Sequence, residues 1–166
     1  MNGIEVRPAT PADRRAVGRM LELYQHDLSD VWDQDLDDDG RYGYSLDKYW
    51  SDPRCVALVF LAAGKYAGFA LVDDSVRLRG NGYWMAQFFV IKKYRRQGIG
   101  SEAARRVFDL MRGRWEVGQM RKNLPAQAFW RRVIREYTGG RFLEHDLTGE
   151  NWDGLLQCFD NASQST

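Results

Sequence analysis

Apolar residues recur along this chain in two rhythms, and the changes of rhythm mark out its elements. Val17, Met20, Leu21, Tyr24 and Leu28 fall three and four apart, which puts them on one face of a helix. Thr10-Pro11-Ala12-Asp13 supplies its start: a threonine N-cap, a proline at the first helical position and a carboxylate at the third. The pattern predicts a strand over Ile4–Arg7 and an amphipathic helix from Thr10 to about Leu28. A short second helix is expected over Tyr44–Trp50, ended near Asp52-Pro53. Cys55–Leu61 and Tyr66–Val72 are β-prone runs joined by Ala62-Ala63-Gly64-Lys65, which reads as a hairpin. A basic, glycine-containing turn, Arg77–Gly82, leads into the strand Tyr83–Ile91, and three consecutive strands suggest an antiparallel meander.

The helical rhythm returns at Ile99, Ala103, Val107 and Met111, predicting a helix over Gly98–Arg112. Trp115–Met120 then comes back as a strand parallel to Tyr83–Ile91, because such crossovers are right-handed. Asn123 is an N-cap for another helix, with Pro125 in its first turn. Phe129, Val133, Ile134 and Tyr137 form its apolar stripe, and Gly139-Gly140 ends it. Arg141–His145 and Trp152–Phe159 read as two last strands. The expected fold class is α/β (α+β), a mixed, mostly antiparallel sheet of about six to seven strands flanked by helices. Residues 1–160 form one domain in this reading, and 161–166 a polar, frayed tail.

Composition narrows the function classes. At 166 residues the chain is long enough for one real core, and its net charge of +1 gives no general argument for nucleic acid or an anionic membrane. Arg131, Arg132 and Arg135 read as the wet face of the last helix. The longest apolar run, Cys55 to Ala63, is too short to span a bilayer, and Glu5 and Arg7 stand where a signal peptide needs apolar residues. Cys55 and Cys158 lack metal-like spacing and are expected as reduced core thiols in a cytoplasmic protein. His26 and His145 are isolated, so no metal is expected.

The chemistry concentrates in Gln87–Arg112. A β-prone run, Phe88 to Ile91, meets a basic turn and then Gly98 and Gly100 at the start of a helix. A strand, a basic glycine turn and a helix N-terminus together make an anion site, since free N–H groups and the helix dipole both point into the turn. No Gly-Lys-Ser/Thr follows, and the turn has two glycines where a dinucleotide fingerprint needs three. Arg95-x-x-Gly98-x-Gly100 resembles the acetyl-CoA signature of the GCN5-related N-acetyltransferases (GNAT), Arg/Gln-x-x-Gly-x-Gly/Ala. Asn123-x-x-Ala126-x-x-Phe129-Trp130 is similar to a second motif of that family, Asn-x-x-Ala-x-x-Phe/Leu-Tyr, and the element order agrees over nearly the whole chain.

The resemblance implies an acyl-CoA N-acyltransferase fold and attack by an amine on the thioester of acetyl-CoA. It implies that Phe88, Phe89 and Val90 pair with pantetheine on a splayed strand, one N–H polarising the thioester carbonyl. The turn residues Arg95, Arg96, Gln97, Gly98, Ile99, Gly100 and Ser101 would hold the pyrophosphate, with Asn123, Phe129 and Trp130 beside the cofactor. Two departures from the pattern bear on catalysis. The strand Tyr83–Ile91 carries no carboxylate, and its nearest isostere, Gln87, cannot accept a proton. Trp130 stands where the family has its acidic tyrosine, which leaves Tyr94, Tyr137 or a residue of the acidic loop to substitute, while Gln87 holds the place of the strand carboxylate among the candidate catalytic residues.

That loop, Asp27 to Asp39, interleaves Asp33, Asp35 and Asp37 with Val31, Trp32 and Leu36. Asp favours turns. Such a negative wall with aromatic neighbours suits a cationic organic amine. The expected function is acetyl transfer to a primary amine of a small or exposed, cationic acceptor, a small molecule or a peptide. The alternative is an acyl-CoA-binding sensor of the same fold with little or no catalysis. No nucleic-acid or membrane partner is expected; a homodimer is the default assembly.

Overall fold

The computed structural model describes residues 3–163. Its strands are β1 (Ile4–Pro8), β2 (Val56–Ala62), β3 (Lys65–Asp73), β4 (Tyr83–Val90), β5 (Arg114–Met120), β6 (Leu143–Thr148) and β7 (Asp153–Asp160). Its helices are α1 (Arg14–Leu28), the single turn α2 (Lys48–Ser51), α3 (Ile99–Leu110) and α4 (Leu124–Thr138). The seven strands run in the order β1-β2-β3-β4-β5-β7-β6. The expected sheet is present, with β7 inserted between β5 and β6.

The chain divides into two compact units: residues up to Leu71 with Gln87–Gly100, and Val72–Ala86 with the chain from Ser101 onward. In the first unit, β1 pairs antiparallel with β2 from Ile4↔Ala62 to Pro8↔Leu58. Positive φ at Ala63 and Gly64 makes the tight turn between β2 and β3. The start of α1 is fixed by Asp13, which is buried and accepts hydrogen bonds from Thr10 N–H (2.8 Å), Tyr66 hydroxyl (2.6 Å) and Arg7 (2.7 Å). The Arg7 guanidinium beside it, with the Tyr66 and Thr10 donors, holds its carboxyl well below the usual range. Residues 11–13 are a 3-10 turn, so the regular helix begins at Arg14.

The predicted second helix, Tyr44–Trp50, shrinks to Lys48–Ser51. Glu22 on α1 takes the N–H groups of Tyr42 (2.9 Å) and Gly43 (3.3 Å), and Gly43 has φ +72°. Those donors hold the preceding segment as irregular chain.

In the second unit, β5 pairs antiparallel with β7 along its whole length, and β6 pairs with β7 from Leu143↔Cys158 to Thr148↔Asp153. The strand expected over Arg141–His145 lies two to three residues later, because Gly139 (φ +61°) and Gly140 (φ +83°) first turn the chain out of α4. Asn161, expected in the frayed tail, is buried: its side chain accepts from Gly113 N–H and donates to Phe108 carbonyl, both at 2.8 Å. Residues 164–166 of that tail lie outside the described residues. Buried Glu116 on β5 accepts from the N–H groups of Arg77 (2.7 Å) and Leu78 (3.1 Å) and pairs with Arg114 at 2.5 Å, so it anchors the link into β4. Both cysteines are free thiols: Cys55 is buried, and Cys158 is half-buried.

Candidate active site

Successive residues of β4 face opposite ways. Phe88 packs on Phe60 (ring centroids 5.2 Å apart), while Phe89 packs on Phe69 (5.9 Å) and on Tyr24 of α1 (5.5 Å). Gly68 on β3 explains how the strand end is shaped. A Cβ there would stand inside van der Waals contact with the Phe89 carbonyl oxygen, 3.1 Å from its carbon and 2.9 Å from the Phe60 ring. In a regular ladder a neighbour's carbonyl lies in the sheet and not along a Cβ direction. The Phe89 carbonyl is therefore rotated out of the sheet over Gly68, a local distortion of the kind that re-aims a strand near a ligand. In the second unit, β4 pairs in parallel with β5 only at Tyr83↔Trp115 and Trp84↔Glu116, and Met85 and Ala86 do not continue that register.

After β4 the chain makes a 3-10 turn at Lys92–Tyr94. Arg96 (φ +60°) and Gly98 (φ +78°) then adopt left-handed conformations, and α3 begins at Ile99. Left-handed residues in such a turn direct successive N–H groups toward one concave side, as in anion nests. Ile99 and Gly100 lie in the first helical turn, where no carbonyl one turn back can take their N–H groups. A Cβ at Gly98 would meet no protein atom, so the glycine answers to its φ and to whatever approaches the turn.

Arg95 behaves differently from its neighbours. Its Nε donates to the Val90 carbonyl at 2.7 Å, its guanidinium pairs with the Asp27 carboxylate at the end of α1, and its charge lies 5.4 Å from the Phe89 ring centroid. The sequence reading offers Arg95 as a phosphate contact; the structure engages this side chain in fastening the turn to α1. Arg96 and Gln97 are exposed, and Gln97 Nε2 donates to the Lys93 carbonyl at 2.8 Å. Gln87 is half-buried on β4, and Tyr94 is half-buried in the 3-10 turn with the Lys93 ammonium 5.3 Å from its ring.

The acidic loop sits in the same unit. Asp37 closes it: its carboxylate accepts from Asp39 N–H (3.0 Å) and Arg41 N–H (2.9 Å), and its own N–H donates to the Arg41 carbonyl (2.8 Å). Of the three aspartates expected to meet substrate, Asp37 is thus a loop-forming residue. Asp33 and Asp35 are exposed, as are Trp32 and Leu36.

The remaining expected site residues belong to the second unit. Asn123 caps α4, its side chain accepting from Ala126 N–H at 3.3 Å. Phe129 stacks edge-on against Trp130 (5.0 Å), and Trp130 is buried against Phe108 (6.1 Å), as an indole in a core would be. Tyr137 is a candidate acid by sequence, but its hydroxyl donates to Asp109 (2.8 Å) and accepts from Asn161 (3.1 Å). Burial, ahead of those contacts, pushes its pKa up. Ser101 lies half-buried in the first turn of α3.

Three residues with a part in this site were not singled out from sequence: Gly68, Tyr24 and Asp27. A glycine inside a β-prone run is a signal of close backbone approach and could have marked Gly68. Tyr24 reads only as a member of the α1 stripe, and Asp27 only as one acid among many.

The comparisons with known proteins agree with this fold. An acetyltransferase of Thermus thermophilus shares the fold at a TM-score of 0.68 and 17% identity, over 95% of this chain and 96% of its own. The PaiA N-acetyltransferase of Thermoplasma acidophilum, solved with coenzyme A, matches at 0.61 and 14% identity, over 95% and 99%. The spermidine N-acetyltransferase of Vibrio cholerae, solved with CoA and spermine, matches at 0.60 and 13% identity, over 96% of each chain. No curated protein sequence matches significantly. The model of the "Acetyltransferase (GNAT) family" matches residues 17–134, from the first turns of α1 to the middle of α4, and the chain belongs to that family.

Proposed function

We propose that this acetyltransferase moves the acetyl group of acetyl-CoA onto a primary amine of a small or exposed acceptor that is cationic in solution. The observation that carries the reading is the pair of exposed carboxylates, Asp33 and Asp35, on a loop closed by Asp37 and tied to α1 through Glu22, in the unit that also holds the phosphate turn. A polyamine is of this chemical type, and one is present in the Vibrio cholerae complex.

The residues divide the work by chemistry. The N–H groups from Arg96 to Gly100 suit a pyrophosphate, with Arg96 and Lys93 as exposed cations nearby. The distorted end of β4 offers backbone groups for pantetheine and an N–H for the thioester oxygen, where negative charge develops as the amine attacks. Arg95 holds this turn in place through the Val90 carbonyl and Asp27. The amine arrives as an ammonium with a pKa of about 10 and must shed a proton before it can attack. Gln87 cannot take that proton, so water or an aspartate of the loop does.

The test is a panel of amines with acetyl-CoA, following released thiol: spermidine, an aminoglycoside and a lysine-containing peptide, against neutral amines as controls. Cationic amines should be preferred, and kcat/KM should fall as ionic strength rises, since the attraction is screened beyond a Debye length of about 8–10 Å. Replacing Asp33 and Asp35 with Asn should lower kcat/KM at low salt and leave CoA affinity unchanged. Turnover of the panel with no salt dependence and no effect of the double variant would refute the cationic acceptor.

A further inference from the structure

The link from β3 to β4 carries Arg77 and Arg79, and the protein orients Arg77 without pairing its charge. The backbone N–H of Arg77 donates to buried Glu116 at 2.7 Å, beside the Leu78 N–H at 3.1 Å. Its guanidinium carbon lies over two indoles, 4.6 Å from the Trp84 ring centroid and 5.9 Å from that of Trp152. The indoles stand edge-on to each other, 5.1 Å apart, so the guanidinium occupies the corner they make. Trp152 is fixed in turn by its Nε1, which donates to the Leu155 carbonyl at 3.0 Å.

Gly118 makes room for this arrangement. A Cβ there would fall 2.5 Å from Trp84 and 2.8 Å from Trp152, closer than such atoms can stand. A glycine lets both rings lie against that face of β5. Glu116, two residues earlier, shares the face, and Trp84 is its partner in the parallel ladder.

These contacts leave the charge of Arg77 unanswered. Its Nε is buried and has no hydrogen-bond partner, and its guanidinium makes no hydrogen bond or ion pair with a described residue. Glu116, which holds its backbone, is paired with Arg114 at 2.5 Å. Stacking on indoles serves the faces of a guanidinium and leaves its in-plane N–H groups free. A buried donor without an acceptor is costly, and a charged one more so. The fork of an arginine matches the two oxygens of a carboxylate.

The place in the fold says whose carboxylate it is. Trp84 is the last residue of β4 in register with β5, and at Met85 and Ala86 the register is lost. Arg77 therefore stands where the splay of β4 begins, and in the functional reading that splay is where acetyl-CoA meets the amine. We propose that Arg77, in the corner of Trp84 and Trp152, binds a carboxylate of the acceptor, which makes the acceptor a diamino acid. Such a molecule is cationic overall, with one amine to acetylate and a carboxylate to hold. The proposal rests on the functional reading above and narrows it: a diamine without the carboxylate is a poorer acceptor than the amino acid that carries the same amine.

The experiment compares two pairs that differ by one carboxylate, lysine with cadaverine and ornithine with putrescine. Thiol release gives kcat/KM for each in the wild type, in Arg77→Met and in Arg77→Lys. Met keeps an unbranched apolar stem on the indoles; Lys keeps the charge and loses the fork. Melting temperature and CoA calorimetry show whether each variant is folded. The wild type should prefer at least one diamino acid over its diamine by about 10- to 100-fold, the span of a hydrogen bond to a charged group. Arg77→Met should bring that ratio near one, with Arg77→Lys between. The wild-type ratio tests the proposal even where a variant fails to fold. Thiol release from amines of the panel with neither diamino acid preferred overturns the proposal alone, and so does a preference that survives intact in folded Arg77→Met. A wild type that binds CoA but releases no thiol with any amine overturns the functional reading, and the proposal with it.

Discussion

Gly68→Ala adds one methyl group at the point where β3 meets the end of β4. The new Cβ would fall inside van der Waals contact of the Phe89 carbonyl oxygen, 3.1 Å from its carbon and 2.9 Å from Phe60. The Phe60 ring belongs to a side chain with no exposure, packed on Phe88, so it has little room to yield. The carbonyl belongs to the backbone, and moving it means turning the Phe89–Val90 peptide back toward the ladder. Overpacking of this kind costs about 1–3 kcal/mol, and contact with backbone as well as a fixed ring places this case at the upper end. For a chain of this size, about 3 kcal/mol corresponds to roughly 6–12 °C of melting temperature. The functional loss should exceed the loss of stability, because the same peptide is read as the thioester's neighbour. Circular dichroism melts, CoA calorimetry and thiol release at a temperature where the variant is fully folded separate the two effects. A Gly68→Ala protein that melts within a degree of the wild type and retains its kcat would show that the Phe89 carbonyl is not held over this glycine, and the account of the β4 end would fail.

Gly98→Val places a β-branched residue at φ +78°, a conformation such residues avoid, and should weaken CoA binding at least tenfold with only modest loss of melting temperature, since no protein atom is nearby; calorimetry decides. Asp27→Asn breaks an ion pair whose partners are about 40% exposed, so the melting temperature should move by no more than about 1–3 °C, while CoA affinity falls several-fold as the turn loses its tie to α1. Asp13 contributes to the acid dependence of folding. Its carboxyl titrates below the unfolded value of about 3.9, so its stabilisation is present above about pH 4 and is lost as pH falls through its folded pKa. Asp13→Asn should cost about 2 kcal/mol at pH 7 through the lost charge-assisted bonds, and the gap between variant and wild type should narrow in acid; parallel melts at pH 3 and pH 7 test this.

Elements whose signals are local could be read directly from the order of residues. The α1 stripe, the Ala63-Gly64 turn, the Asn123 cap and the Gly139 stop each depend on residues a few positions apart, and each appears where the pattern puts it. The turn before α3 was legible for the same reason, because its glycines, its basic residues and the following helix are contiguous. The partners of the polar side chains came from long-range folding instead. Arg95 looks like a phosphate contact in sequence, yet its charge meets Asp27, 68 positions away. Asn161 reads as tail until Gly113, Phe108 and Tyr137 claim its side chain. Tyr44–Asp47 has a helical pattern, but Glu22 binds the N–H groups just before it and the helix shrinks to one turn. One physical cause is common to these cases. Periodicity records which face of an element is buried, and a given face can be covered by many partners. A charge or an amide needs one partner at hydrogen-bond distance, and the folded chain as a whole selects it. Gly68 shows the same limit for the backbone: its missing side chain is visible in the sequence, but the carbonyl that fills the space is not.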